Sequence, residues 1–392
     1  MADTEGQTRL LAARPRVALI SSGLGFVTRG IETWMTELAR HLPVTLNVEL
    51  WSGGRPPDIP HRKTRTLLAV SRDSMAQCAF NWHRRYLNEQ LSCLPRALLL
   101  LRRERTAIAY CGDPALAWHL KGTQRLHGAR VVFMNGMRLA PNWAKHFDAV
   151  QLIAPSNLDE AKRALGEANT GQFFVSPHFV DTEDFRPPGA GERARARAEL
   201  ELPEDAFVVL NVGPVGTVSG KRLEWLAREV APCGSQAVLM SVGGDEEGAE
   251  TVHTLAREAL GARFRPLGSQ PRERMKTFYH AADAYALAAL EEPFSLAVLE
   301  AMACGLPVVH HPFAVTSWIT GPAGVAVSMT DTGAATSALK RLQTELPWRS
   351  GRGAQGREQA VQRFSAPVVS AQLARELIRV ARAGKDAPAE AS

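Results

Sequence analysis

Along most of the chain, short continuous apolar runs alternate with stretches whose apolar residues recur at helical spacing. VVLNV (208–212) and AVLMSV (237–242) are unbroken runs rather than alternating ones. Strands covered by helices on both faces read this way. Two sets of six strands are predicted. The first comprises 16–21, 45–51, 106–111, 130–135, 150–154 and 172–177. The second comprises 207–212, 237–242, 263–266, 284–288, 307–311 and 325–328. Strand and helix in strict alternation predict an α/β protein with two doubly wound parallel sheets. Between the sets, residues 181–206 carry Pro187, Pro188, Gly189 and Gly191, then an Arg/Ala/Glu helix without an apolar face. This stretch marks the expected boundary. The division is a first domain at 1–185, a second at 186–365, and a C-terminal helix and tail at 366–392, the helix being a candidate to pack back on the first domain.

Composition narrows the class. With 392 residues, 45% hydrophobic and 22% charged, the chain has the size and balance of two ordinary globular domains. Disorder and a disulfide scaffold are excluded. Five widely spaced cysteines without a C-x-x-C pair suggest reduced thiols rather than zinc or redox chemistry. No apolar stretch approaches the ~20 residues of a membrane span, and no signal peptide is read at the start, so a cytoplasmic location is expected. The net charge of +6 is unevenly spread. Residues 51–106 hold eleven Lys/Arg against four Asp/Glu, a local charge of +7, and the remainder is −1. Such a surface suits an anionic or lipid-linked acceptor, or the inner face of a membrane; a solvated helix face with snorkelling arginines reads equally well. No nucleic-acid partner is expected, because no nucleic-acid-binding motif occurs and aromatics are only 7%.

The most informative stretch is AYALAALEEPFSLAVLEAMACGLPVVH, 284–310. A strand leads through an acidic loop into a helix that is apolar almost all round. Ser295 can cap that helix, Gly305 can end it in a left-handed conformation, and Pro307 prevents its continuation. Inside it stands one carboxylate, Glu300, which needs a partner if buried. An arginine or backbone group would serve. So would the two donors of a ligand diol. Glu292 lies eight residues earlier, near the helix N-terminus, where free N–H groups favour an anion such as phosphate.

This E-x7-E arrangement, in the setting EEPFSLAVLEAMACGLPVV, resembles the family-4 (group 1) retaining glycosyltransferases of GT-B fold. The resemblance implies two Rossmann-like domains facing across a cleft. It implies that Glu300 binds the nucleotide ribose, while Glu292 and the amides of Phe294, Ser295 and Leu296 hold donor sugar and diphosphate. NVGPVGTVSGKRLEWL is similar to the family's glycine loop and places Gly213 and the diphosphate-binding Lys221. Pro214 stands where an arginine is usual, so Arg222, or the hydroxyls of Thr217 and Ser219, are candidate replacements. SSGLGFVTRGIETWMTELARHL is similar to the family's first-domain loop, with Gly30 kept and Arg29 replacing a glycine. His178 and Phe179 replace Asn and Gly in a further match. Asn135 falls where many relatives carry a sugar-contacting histidine. Arg84 and Arg85 are candidate acceptor contacts.

The activity implied is retaining transfer of a hexose-type sugar from a nucleotide-diphosphate sugar to an acceptor hydroxyl, in bacterial glycoconjugate, polysaccharide or natural-product synthesis. Lys221 and Glu292 carry the catalytic expectation. No cofactor is expected, and no D-x-D pair occurs to hold a metal. Two alternatives are a GT-B sugar-nucleotide epimerase and a non-catalytic sugar-nucleotide binder.

Overall fold

The computed structural model describes residues 14–27 and 30–383. The described residues form two parallel sheets, each in its own compact unit. One unit is built from residues 14–178 and 367–383, and the other spans Phe179–Ala366.

The first sheet has seven strands: β1 (Arg16–Ser21), β2 (Asn47–Ser52), β3 (Lys63–Thr66), β4 (Ile108–Cys111), β5 (Arg130–Met134), β6 (Ala149–Leu152) and β7 (Phe173–Val175). Their order is β3-β2-β1-β4-β5-β6-β7. Val17 lies opposite Val48 on one side and Ile108 on the other, so β1 is an inner strand, and its side chains from Val17 onward are enclosed. A buried polar chain crosses this core. Trp34 donates to the Tyr110 hydroxyl (3.0 Å), Tyr110 to Gln151 (2.5 Å), and Gln151 to the Ser176 carbonyl (2.7 Å). The hydrophobic pattern does not predict β3, whose sequence is KTRT. Charge pairing fixes this edge strand: Lys63 and Arg65 reach Glu49 on β2 at 3.3 and 2.8 Å, and Arg65 also reaches Glu104 at 2.6 Å.

The second sheet has six strands: β8 (Phe207–Val212), β9 (Ala237–Val242), β10 (Phe264–Pro266), β11 (Ala284–Leu287), β12 (Val308–His310) and β13 (Val325–Ala326), in the order β10-β9-β8-β11-β12-β13. Each sheet therefore has a topological switch point, between β1 and β4 in one and between β8 and β11 in the other. Ligands of doubly wound sheets bind beyond the carboxyl ends of strands at such points. The segments where the chain passes between units run side by side: the Val180 amide donates to the Phe364 carbonyl (2.9 Å) and the Ala366 amide to the Val180 carbonyl (3.0 Å).

The stretch expected as a boundary is built into the second unit. Its helix, Glu192–Glu199, turns arginines inward instead of an apolar face. Arg193, Arg197 and Arg349 converge on Asp283 at 2.6, 2.7 and 3.1 Å, and the Val208 amide donates to the same carboxylate at 2.8 Å. Asp283 immediately precedes β11, so this hub holds the helix to the centre of the sheet. Removing one partner of a buried pair leaves uncompensated charge, and Asp283→Ala should cost about 3 kcal/mol in denaturant unfolding.

Four buried histidines are held neutral. Burial pushes His178 down to about 3, and also lowers His127, His280 and His310. His178 packs edge-on against Trp34, with centroids 4.3 Å apart. A histidine whose folded value is depressed binds fewer protons than the unfolded chain between the two values. Stability is therefore complete above about pH 6.5 and declines as pH falls. His178 alone should remove about 2 kcal/mol by pH 5. Melting curves from pH 7.5 to 5 should show the decline, and His178→Asn should flatten it.

Candidate functional site

The carboxyl edge of the second sheet is assembled from loops that approach each other at backbone distance. After β8, the Gly213 amide donates to the Val242 carbonyl (2.9 Å). A Cβ at Gly243 would lie 1.8 Å from the Gly213 carbonyl oxygen, so only glycine permits this crossing. Gly213 itself has φ +152°, and a Cβ there would come within 2.8 Å of the Lys221 side chain. The lysine stem thus lies over a bare backbone and extends its ammonium to Glu292, from the loop after β11. Both side chains are mostly buried. The Lys221–Glu292 ion pair joins the two strands of the switch point.

Glu292 precedes the helix Leu296–Ala303. The Ser295 hydroxyl caps that helix by accepting the Val298 amide at 3.3 Å, which leaves other first-turn N–H groups without intrahelical partners. Phe294 and Leu296 flank the cap and are half-buried. Beneath it, Tyr285 on β11 neighbours Ser295 and donates to the Val212 carbonyl at 3.4 Å. Burial, with the Glu292 charge adding, keeps this phenol protonated. Val298, Leu299, Ala301, Met302 and Ala303 are fully buried, as the apolar pattern predicts. Glu300 is 4% exposed. Its Oε1 pairs with Arg272 and its Oε2 accepts the Tyr279 hydroxyl at 2.7 Å. Of the partners the sequence left open, the structure contains the arginine, and it adds a phenol that the sequence did not name.

Several expected residues serve other ends. Arg222 adopts a left-handed conformation (φ +55°) and donates to the Met329 and Ala288 carbonyls at 2.6 and 3.4 Å. It braces three loops. Thr217 donates to the Glu247 carbonyl and Ser219 to the Gly216 carbonyl. Ser219 closes its own loop, and Thr217 ties that loop to the one after β9. Asn135 is 4% exposed, and its amide exchanges two hydrogen bonds with the main chain of Leu139 (2.7 and 2.9 Å). It locks the turn after β5. Arg85 donates to the Phe80 and Cys78 carbonyls (2.7 and 2.8 Å) and clamps a loop. Arg84 remains exposed. His310 bonds Thr320, and His311 accepts the Met329 amide.

In the first unit, Gly30 opens the helix Gly30–His41 and is exposed, with nothing within 4 Å of a Cβ placed on it. Arg29 lies outside the described residues. At the first switch point the structure adds a polar cluster that the sequence does not single out. A Cβ at Gly23 would lie 2.3 Å from Glu32 and 2.8 Å from Arg72. Arg72 grips Glu89 through its guanidinium (2.5 and 3.0 Å) and lies over the Tyr86 ring at 4.4 Å. Asp113 accepts the Ser22 amide at 2.6 Å. Burial raises the Asp113 carboxyl above the usual range, with the Glu89 charge adding, although the bonds from Ser22 oppose the shift. The readable signal is Asp113, two residues past the end of β4. Among the described residues, no group of three His, Cys, Asp or Glu could hold a metal, and no helix is long and apolar enough to cross a membrane.

Comparison with known proteins agrees with this geometry. Residues 206–345 match the family model for glycosyl transferases group 1. D-inositol 3-phosphate glycosyltransferase from Mycobacterium leprae is 33% identical over 174 residues, 42% of this chain and 40% of that protein. The match thus spans well under half of that relative's length. Sucrose-phosphate synthase from Thermosynechococcus elongatus superposes with TM-score 0.77 at 22% identity, over 94% of this chain and 100% of that one. Anabaena HepE, in complex with UDP and glucose, superposes with TM-score 0.74 at 16% identity, over 93% of this chain and 100% of that one. The architecture is that of GT-B glycosyltransferase structures, and the stretch similar to group 1 glycosyl transferases covers the second sheet.

Proposed function

We propose that the protein is a retaining family-4 glycosyltransferase that moves a hexose-type sugar from a nucleoside-diphosphate sugar to an acceptor hydroxyl. The observation that carries this reading is the Lys221–Glu292 pair beside the Ser295-capped helix end, at the switch point of the second sheet. A departing diphosphate gains negative charge as the glycosidic bond breaks. Lys221 has three N–H donors, so its ammonium can hold phosphate oxygens while Glu292 keeps it in place. The helix N-terminus adds partial positive charge at the same edge. Both are set before the reaction, which is where electrostatic stabilisation is most effective. Neither needs a metal. Glu300, deeper in the helix, is assigned to the ribose hydroxyls. Retention follows from attack on the face the leaving group vacates, with a donor phosphate oxygen taking the acceptor's proton. The UDP named with HepE supports a nucleotide donor of this kind.

A screen of UDP-, GDP-, ADP- and dTDP-sugars by thermal shift tests donor binding. A ligand at 100 times its Kd should stabilise the fold by about 2.7 kcal/mol. Release of nucleoside diphosphate that depends on an acceptor separates transfer from epimerisation or from binding alone. Lys221→Ala should lower kcat by about 10²–10³ with the fold intact. If no sugar nucleotide shifts the melting temperature at millimolar concentration, this reading fails.

The acceptor side is assigned to an anionic, lipid-bearing surface. Between β3 and the helix Trp82–Ser92, the chain exposes Leu68, Val70, Met75, Phe80 and Trp82, with Met75 91% exposed. The Gln77 amide ties the Met75–Gln77 turn to the Val70 and Ser71 carbonyls, so these apolar groups share one loop. Arg84 adjoins them, and Arg102 and Arg103 stand exposed on the helix Leu94–Arg103. Apolar side chains beside cations suit an anionic bilayer. Replacing Arg84, Arg102 and Arg103 by Gln should weaken co-sedimentation with anionic vesicles at low salt by tenfold or more, at about 1 kcal/mol per charge. Unchanged binding would exclude the membrane assignment.

A further inference from the structure

The helix that carries Glu300 offers that carboxylate no polar neighbour of its own, and both of its partners come from the preceding segment of chain. Arg272 lies in a short turn, Arg272–Arg274, and Tyr279 in the helix Met275–Ala281. Phe185 positions both. The Arg272 guanidinium lies over its ring at 4.8 Å, and Tyr279 meets it edge-on at 5.8 Å. The three polar groups differ in access: the Arg272 side chain is 32% exposed and that of Glu300 5%, while Tyr279 is fully buried. An ionised carboxylate has about four lone-pair positions. Arg272 occupies one on Oε1 and Tyr279 one on Oε2.

We propose that Arg272 is a positioning residue of the nucleotide subsite, acting through Glu300. With Tyr279, it takes one lone pair of each oxygen and leaves the other two for the paired hydroxyls of a ribose. This rests on the assignment of Glu300 to the ribose. The arginine does two things that no neighbour duplicates. It fixes the rotation of the carboxylate, and it sets a positive charge against it among apolar side chains.

The surroundings of Glu300 define what its removal would do. Tyr279, Tyr285 on β11 and Cys304 at the end of the same helix are all raised by burial, with Glu300 adding to each, and they stay protonated near neutral pH. Arg357, from the helix Leu346–Phe364, directs its guanidinium to the Ala303, Phe185 and Thr182 carbonyls. Asp184, Arg186 and Arg357 act on Cys304. Arg272 is therefore the cation in direct contact with Glu300. Without it, the buried carboxylate loses its charge partner and the contact that fixes its rotation toward a diol.

The test uses the full chain and the nucleoside diphosphate that gives the largest thermal shift, titrated calorimetrically from pH 6 to 8.5. Variants are compared as ratios to the wild type, in which the titration of the diphosphate cancels. For Arg272→Gln, affinity should fall about tenfold across this range. Arg272→Lys keeps the charge and should hold a flat ratio within about threefold of wild type; it also serves if the glutamine variant does not fold. Glu300→Gln should bind weakly at every pH. A flat ratio near one for Arg272→Gln, or a pH-independent tenfold loss in Arg272→Lys, overturns the proposal while leaving the ribose assignment standing. Wild-type affinity in Glu300→Gln overturns the assignment itself, and the proposal with it.

Discussion

A carboxylate shut away from water must keep a donor at hand, and at three places in the second unit a cation is among those donors. Glu292 is held by Lys221, Glu300 by Arg272 and Tyr279, and Asp283 by three arginines. Each pairing joins segments far apart in sequence. The loops after β8 and β11 are drawn together by the first, the turn after β10 and the motif helix by the second, and the helix at 192–199 and the sheet by the third. Desolvation makes such pairs costly to break, so the arrangement fixes geometry more firmly than apolar contact alone. The first unit repeats the device where Arg72 grips Glu89 beside Asp113.

What the sequence discloses follows from which forces write a periodic pattern. β8 and β9 run over the residues expected, because strands buried on both faces are unbroken apolar runs. The dry helix around Glu300 and its serine cap were legible for the same reason. β3 was not: KTRT has no apolar residue, and its place depends on Glu49 and Glu104, which lie 14 residues before it and 38 after it. The helix at 192–199 looked like a linker because arginines, whose partners no local rule names, replace an apolar stripe. Glu300 could be seen to need a partner, yet Arg272 stands 28 residues upstream in a polar turn that resembles any other.

Residue type and residue role part company where a main-chain carbonyl is close. Arg222 and Asn135 have side chains suited to a ligand, and both are engaged by backbone groups within their own unit. Short-range competition of this kind leaves no trace in a motif. The basic stretch at 51–106 divides similarly. Arg62, Arg65, Arg72 and Arg85 turn to carbonyls or carboxylates, while Arg84, Arg102 and Arg103 stay at the surface. The formal charge of that region overstates what a partner would meet.

The motif helix ends at Gly305, whose carbonyl oxygen would lie 2.1 Å from a Cβ at Gly353. Backbone therefore rests directly on backbone, with no side chain between to absorb an error. A single methyl group added at position 353, far along the chain from either glutamate, would lever the end of that helix and turn Glu300 with it. The tolerance of this unit to sequence drift would then be set partly by a glycine remote from both glutamates in sequence, in a helix that lies beyond the family match.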